Sequence, residues 1–173
     1  MEIKSIFQIQ KINHSILQWE KKKKNFLKKI QDLKYQEAHF MSTKNITQSI
    51  NLTELFTTVF KKELTLLEKT IKTKFKIQEV WVVHYKQFQE HIVHNHGDRG
   101  LFGIIHLNHL PEHVPARFLM PLNDMTTGRS IIYKDTAKEG DMVLMPAPIY
   151  HYTPFNKLKE VRSIIGFNLQ LLE

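Results

Sequence analysis

The sequence contains no cysteine among its 173 residues. Disulfides, thiolate catalysis and cysteine-ligated zinc or iron–sulfur centres are therefore excluded. A metal ion would have to be held by histidine, aspartate or glutamate. No run of about 18 apolar residues occurs, so no segment reads as a transmembrane helix. Met1-Glu2-Ile3-Lys4 opens the chain without an uninterrupted apolar stretch, so no secretory signal is read there and a cytoplasmic location is expected. No internal repeat is present.

The length suits one domain, residues 1–173, with a real core. Within it, 1–77 reads as a helical lead-in packing on a barrel, and 78–173 as the barrel itself. The formal net charge is +8, and Lys21, Lys22, Lys23, Lys24, Lys28 and Lys29 supply much of it. The run reads as a solvated helix face. A nucleic-acid partner is conceivable but not favoured, because aromatics interleaved with arginine on one sheet are absent.

Ile12, Ile16, Leu17, Trp19, Phe26, Leu27, Ile30 and Leu33 recur at roughly helical spacing. Ser42-Thr43-Lys44-Asn45 reads as a loop. A second helix is expected from Asn51, which can cap, with Glu54 three residues on. After about residue 77 the pattern changes to short apolar or alternating runs between turn residues. Strands are expected near 79–85, 89–96, 101–108, 113–120, 130–133, 142–145, 149–153 and 162–171. Eight short strands with close turns and no intervening helix imply a jelly roll or small barrel behind N-terminal helices, and not a parallel α/β sheet.

Eight of the ten histidines fall between His84 and His151. The densest stretch is His91-Ile92-Val93-His94-Asn95-His96-Gly97-Asp98. Side chains on a strand alternate faces, so His94 and His96 point the same way, and Asp98 joins them if the geometry continues into the turn. His151, in Ile149-Tyr150-His151-Tyr152-Thr153, is the natural distal ligand. Two imidazoles and one carboxylate on one face of a metal leave three positions open, the arrangement of non-haem Fe(II) sites. An oxo-acid co-substrate also needs a cation for its far carboxylate. Arg162, eleven residues after His151, offers a fork that stays charged.

His96-Gly97-Asp98, His151 and Arg162 resemble the pattern of the 2-oxoglutarate/Fe(II) oxygenase superfamily: His-x-Asp/Glu, a distal His, then Arg or Lys about ten residues on. Trp81, His94-Asn95-His96, Gly103-Ile104-Ile105, Gly140-Asp141, Pro146, His151, Arg162 and Phe167-Asn168 look closer still to a group of such oxygenases from phages and marine bacteria. The likeness covers about residues 79–170 and matches the first 78 only loosely. It implies a double-stranded β-helix with Fe(II) and 2-oxoglutarate as cofactors, in the cytoplasm of a bacterial host cell. It also implies decarboxylation of 2-oxoglutarate to succinate and CO2, coupled through O2 to hydroxylation of an organic or protein substrate.

Two ligand frames stay open. One is His96, Asp98 and His151; the other is His94, His96 and His151, which is more like cupin dioxygenases. The carboxylate frame is preferred because Fe(II) oxygenases generally use one anionic ligand. Tyr85, His84 and His106 are read as pocket or co-substrate contacts, and His109 and His113 as surface or packing residues. The competing readings are a cupin-type metal enzyme that uses no keto acid and a non-catalytic jelly-roll binding or virion protein. Substrate and oligomeric state are not readable.

Overall fold

A computed structural model describes residues 9–44 and 50–172. The chain runs β1 (Ile12–Ser15), α1 (Trp19–Ile30), β2 (Gln36–Glu37), β3 (Met41–Ser42), α2 (Leu52–Val59), α3 (Lys61–Ile71), β4 (Phe75–Tyr85), β5 (His91–His94), β6 (Leu101–Asn108), β7 (Arg117–Asn123), β8 (Ser130–Lys134), β9 (Asp141–Pro146), β10 (His151–Thr153) and β11 (Arg162–Leu171). The strands form a seven-stranded sheet in the order β1-β9-β6-β11-β4-β3-β2 and a four-stranded sheet in the order β5-β10-β7-β8. All pairs are antiparallel. From β4 onward the chain crosses repeatedly between the sheets, so both are built from alternating stretches of sequence. This is the expected double-stranded β-helix.

The larger sheet separates two cores. On β4 and β11, Val80, Val82, Ile165, Phe167 and Leu169 face the helices and pack with Phe26, Phe56 and Phe60. Trp81, Val83, Tyr85 and Ile164 face the other way, into the barrel with Phe102, Phe118 and Met145. A sheet covered on both faces turns every residue of a strand inward, which explains the near-continuous apolar runs of β6 and β9. Each fully buried phenylalanine contributes about 1.5–3 kcal/mol. Two glycines make room for the aromatics: a Cβ on Gly103 would lie 2.0 Å from the Phe167 ring, and one on Gly166 would lie 2.4 Å from the Trp81 ring.

The lead-in departs from the expected long helices. Ile12 to Ser15 pair with β9 as an edge strand, so the apolar spacing at Ile12 and Ile16 is not helical. The chain turns through Gln18 at φ 55°, and α1 then buries Phe26 and Ile30. The expected loop at Ser42–Asn45 begins inside the β2–β3 hairpin, which pairs with β4; Asn45 lies outside the described residues. Asn51 caps α2 as expected, its Oδ1 accepting the Glu54 N–H at 3.1 Å. The second helix is two: Phe60 (φ −105°, ψ 19°) breaks it. The lysine run is only partly solvated. Lys22 pairs with the buried Glu63 of α3, and Lys23 with Glu139 of the β8–β9 loop, so these two pin α1 to the body.

Candidate metal centre

The site sits where β5 and β10 pair inside the barrel. The register matches His151 with His94 but Thr153 with His91, so β5 takes three steps where β10 takes two. That bulge defeats strict alternation. It brings His91 and His94 onto one side with rings stacked at 3.9 Å, while Ile92 and Val93 are exposed. His96 lies beyond the end of β5, its N–H donated to the Ala147 carbonyl at 3.0 Å. Its ring stacks on Phe102 at 4.7 Å and on Trp81 at 5.4 Å. His151 is buried and lies flat on Phe102, 4.2 Å away with 6° between planes. Aromatic walls thus fix two of the three rings.

One nitrogen from each of His94, His96 and His151 falls within 4.8 Å of the others, the spacing of a shared metal ion. The hydrogen bonds settle which nitrogens are free. His94 Nδ1 stands 2.8 Å from the Ile92 carbonyl and His151 Nδ1 3.1 Å from the Ile149 carbonyl. A carbonyl only accepts, so both Nδ1 atoms carry the proton and both Nε2 atoms keep bare lone pairs. Backbone orientation of this kind supports metal-ligating histidines. Burial, then the neighbouring imidazoles of His151 and His94, pushes His96 down to about 2. Burial, followed by the charge of His94, pushes His151 down to about 3. Burial also lowers His94. All three rings are neutral at pH 7, the form that binds a metal.

Asp98 is exposed and outside this cluster. Gly97 takes φ +99°, so the chain turns there and the period of two ends at His96. Of the two ligand frames left open, it is the three-histidine one, His94, His96 and His151, whose ligand atoms lie together.

Arg162 opens β11 opposite Tyr85 and is 2% exposed. Its guanidinium lies 4.6 Å from the Tyr85 ring centre. Its Nη atoms donate to the Val114 and Pro154 carbonyls, and its Nε is buried without a partner. Among the described residues no carboxylate pairs with it. A buried cation without an anion is costly unless a ligand supplies one. The Tyr85 hydroxyl lies 3.4 Å from His91 Nδ1, linking the Arg162 neighbourhood to the histidines. His106 stands apart, its Nε2 3.2 Å from Asp135 Oδ2. His84 also lies apart, held by the Ser163 hydroxyl at 2.7 Å and against Tyr35.

A cleft of about 230 Å³ leads to the imidazoles, walled by the β2–β3 hairpin and lined by Phe40, Lys44, Trp81, His91, His94 and His96 among others. His91, Phe40 and Lys44 were not singled out from the sequence. The bulge that turns His91 inward leaves no periodic trace, and the hairpin residues carry no motif.

No protein-family model and no curated protein matches the chain. Solved structures do. HygX from Streptomyces hygroscopicus, with nickel, 2-oxoglutarate and hygromycin B bound, superposes at a TM-score of 0.66 and 11% identity, over 92% of this chain and 82% of that one. The viral collagen prolyl hydroxylase of Paramecium bursaria Chlorella virus 1, as its 2-oxoglutarate complex, gives 0.60 at 15% identity, over 92% and 94%. The fold is that of the 2-oxoglutarate oxygenases. A prolyl-4-hydroxylase from Pseudomonas putida shares this double-stranded β-helix at 0.58 and 9% identity, over 92% of both chains. At such identities the likeness is one of architecture, and chemistry must be argued from this chain's own side chains.

Proposed function

We propose that the protein is an Fe(II)- and 2-oxoglutarate-dependent oxygenase, a hydroxylase of an organic or protein substrate, with His94, His96 and His151 as metal ligands and Arg162 as the anchor of the oxo acid's far carboxylate. The convergence of three imidazoles with bare nitrogens carries this reading. The donor set fits a borderline divalent ion, because neutral imidazole suits iron among other transition metals. When bound, the metal and 2-oxoglutarate supply the oxidising chemistry with O2. The chain's part is to hold three lone pairs in register, to meet a carboxylate with a buried guanidinium, and to keep water from the reacting atoms with Trp81, Phe102 and Phe118. Tyr85 fixes the guanidinium through its ring and carries a hydroxyl toward His91. His106 is held by Asp135 and stays in the reading only as a neighbour of the Arg162 end. The closer kinship to the phage and marine-bacterial group and the cytoplasmic location are part of the proposal and rest on the sequence. Among the described residues no helix is long and apolar enough to cross a membrane.

Anaerobic Fe(II) titration with and without 2-oxoglutarate tests it. A weak visible charge-transfer band should appear only when both are present and vanish in His96→Ala. No band, with no 2-oxoglutarate turnover, overturns the reading. One observation favours a second reading: three imidazoles without a carboxylate also suit a cupin-type metal enzyme that needs no keto acid. In that case Arg162→Ala keeps activity and 2-oxoglutarate does not bind.

A further inference from the structure

The cleft above the imidazoles is electrostatically one-sided. Its polar lining consists of the amides of Gln36 and Asn95, the Ser42 hydroxyl and the Lys44 ammonium, besides the histidines, and no carboxylate lines it among the described residues. Three neutral imidazoles bring no negative charge, so a divalent ion held by them would make the floor of the cleft positive as well as its mouth. Lys44 Nζ stands 4.5 Å over the Trp81 ring, the same indole that stacks on His96. Among the described residues its one carboxylate neighbour is Glu79 at 3.3 Å, and both side chains are more than a third exposed. A pair so exposed holds its partners weakly, and an ammonium has three donors to offer. Phe40 and Trp81 supply flat apolar surface beside it. The volume of about 230 Å³ is below the usual range for a whole drug-sized ligand, so the cleft encloses one end of a substrate.

We propose that the substrate presents an anionic group, a carboxylate or a phosphate, which Lys44 receives at the mouth of the cleft while the adjoining apolar part lies against Phe40 and Trp81. This rests on the oxygenase reading and names the substrate class that reading leaves open. Lys44 is a binding residue here, and the cation over the indole also disfavours amine-bearing substrates.

Three size-matched probes test it: benzoate, phenyl phosphate and benzylamine. In a Trp19→Phe background Trp81 is the only tryptophan, so its fluorescence reports binding beside it. Titrations are run on metal-free protein and on protein loaded anaerobically with Fe(II) and 2-oxoglutarate; the metal-free arm removes direct ligation of the probe to iron. Benzoate or phenyl phosphate should bind in both states and benzylamine in neither; which anion binds tells carboxylate from phosphate. Lys44→Met should weaken the anion by about tenfold or more, and Lys44→Arg should restore it. Glu79→Gln should tighten it. Equal binding of benzylamine, no anion binding, or an unchanged affinity in Lys44→Met overturns the proposal. With the charge-transfer band intact, such a result leaves the oxygenase reading standing. Absence of the band in the unmutated protein removes both.

Discussion

Two groups of histidines occupy the barrel, and they are used in opposite ways. At the β5–β10 junction, His94 and His151 turn one nitrogen to backbone carbonyls and leave the other bare, facing His96, with no carboxylate in the group. Around the β6–β7 and β8–β9 loops, His106, His109 and His113 also lie ring to ring, at 4.7 and 5.5 Å. There the protein consumes much of the ring chemistry itself. Asp135 takes His106 Nε2, the Leu110 N–H is accepted by His113 Nδ1, and His113 Nε2 donates to the Glu160 carbonyl. Nδ1 of His106 and of His109 are buried without partners, yet among the described residues no third ligand atom joins them. Histidine density alone therefore does not make a metal centre. What sets the first group apart is the convergence of three ring nitrogens, with the opposite nitrogen of His94 and of His151 held by the backbone.

The largest effect that would break this contrast is on the metal. His151→Ala removes a ligand and opens the wall against Phe102, so Fe(II) binding should be lost, read as no chelate band and no metal-dependent rise in Tm. His109→Ala should leave both intact. Equal loss in the two variants would erase the distinction. Arg162→Met comes next. With Fe(II) still bound, 2-oxoglutarate affinity should fall by about a hundredfold, since one partner of a buried charge pair is gone. Unchanged affinity would point to the keto-acid-free reading.

Acid sharpens the comparison further. In metal-free protein, burial first, then neighbouring imidazoles, holds His91 near 3 as it holds His151 and His96 low. The folded values lie below the unfolded value of about 6.5. The unfolded chain therefore binds protons that the folded chain refuses, and stability is full above pH 6.5 and lost as pH falls toward 3. The slope is at most about 1.4 kcal/mol per pH unit per ring. Asp135 works in another window. Although its own burial opposes ionisation, the hydrogen bonds from His106 and Lys11 hold it below the usual carboxylate range, so its contribution appears above about pH 4 and disappears below. Urea midpoints at pH 7.5, 6, 5 and 3.5 should show the first loss before the second; a flat profile from 7.5 to 5 would mean that the rings are not held neutral. Asp135→Asn should cost about 1–3 kcal/mol at pH 7 without touching the chelate band, because it disturbs a buried acceptor of His106 and Lys11.

The barrel was legible because its strands are bounded by Gly, Pro and Asp turns, and β6 and β11 fall at their expected limits. Its covering was not. Ile12 and Ile16 satisfy a helical spacing and a strand alternation alike, and only the free edge of β9 decides for the strand. The site was legible as far as types and spacing reach: His94, His96, His151 and Arg162 all stand out in the sequence. Which of His94 and Asp98 stands with His96 and His151 depends on the conformation of Gly97 and the bulge in β5, and neither is written in a periodicity. Phe40 and Lys44 enter through tertiary pairing of the β2–β3 hairpin with β4, and His91 through the β5 bulge, neither of which a local signal announces.

The smallest expected effect decides most between the two ligand frames. Asp98 is exposed, follows a glycine at positive φ, and makes no hydrogen bond among the described residues. Asp98→Ala should change stability by no more than about 0.5 kcal/mol. It should leave the Fe(II)/2-oxoglutarate band, and the affinity for both, as they are. His94→Ala should abolish the band. If instead the aspartate variant loses iron and the His94 variant keeps it, the turn at Gly97 must refold around the ion to bring the carboxylate in. The electrostatic case for an anionic substrate would then weaken with it, because the protein would already supply a negative charge at the floor of the cleft.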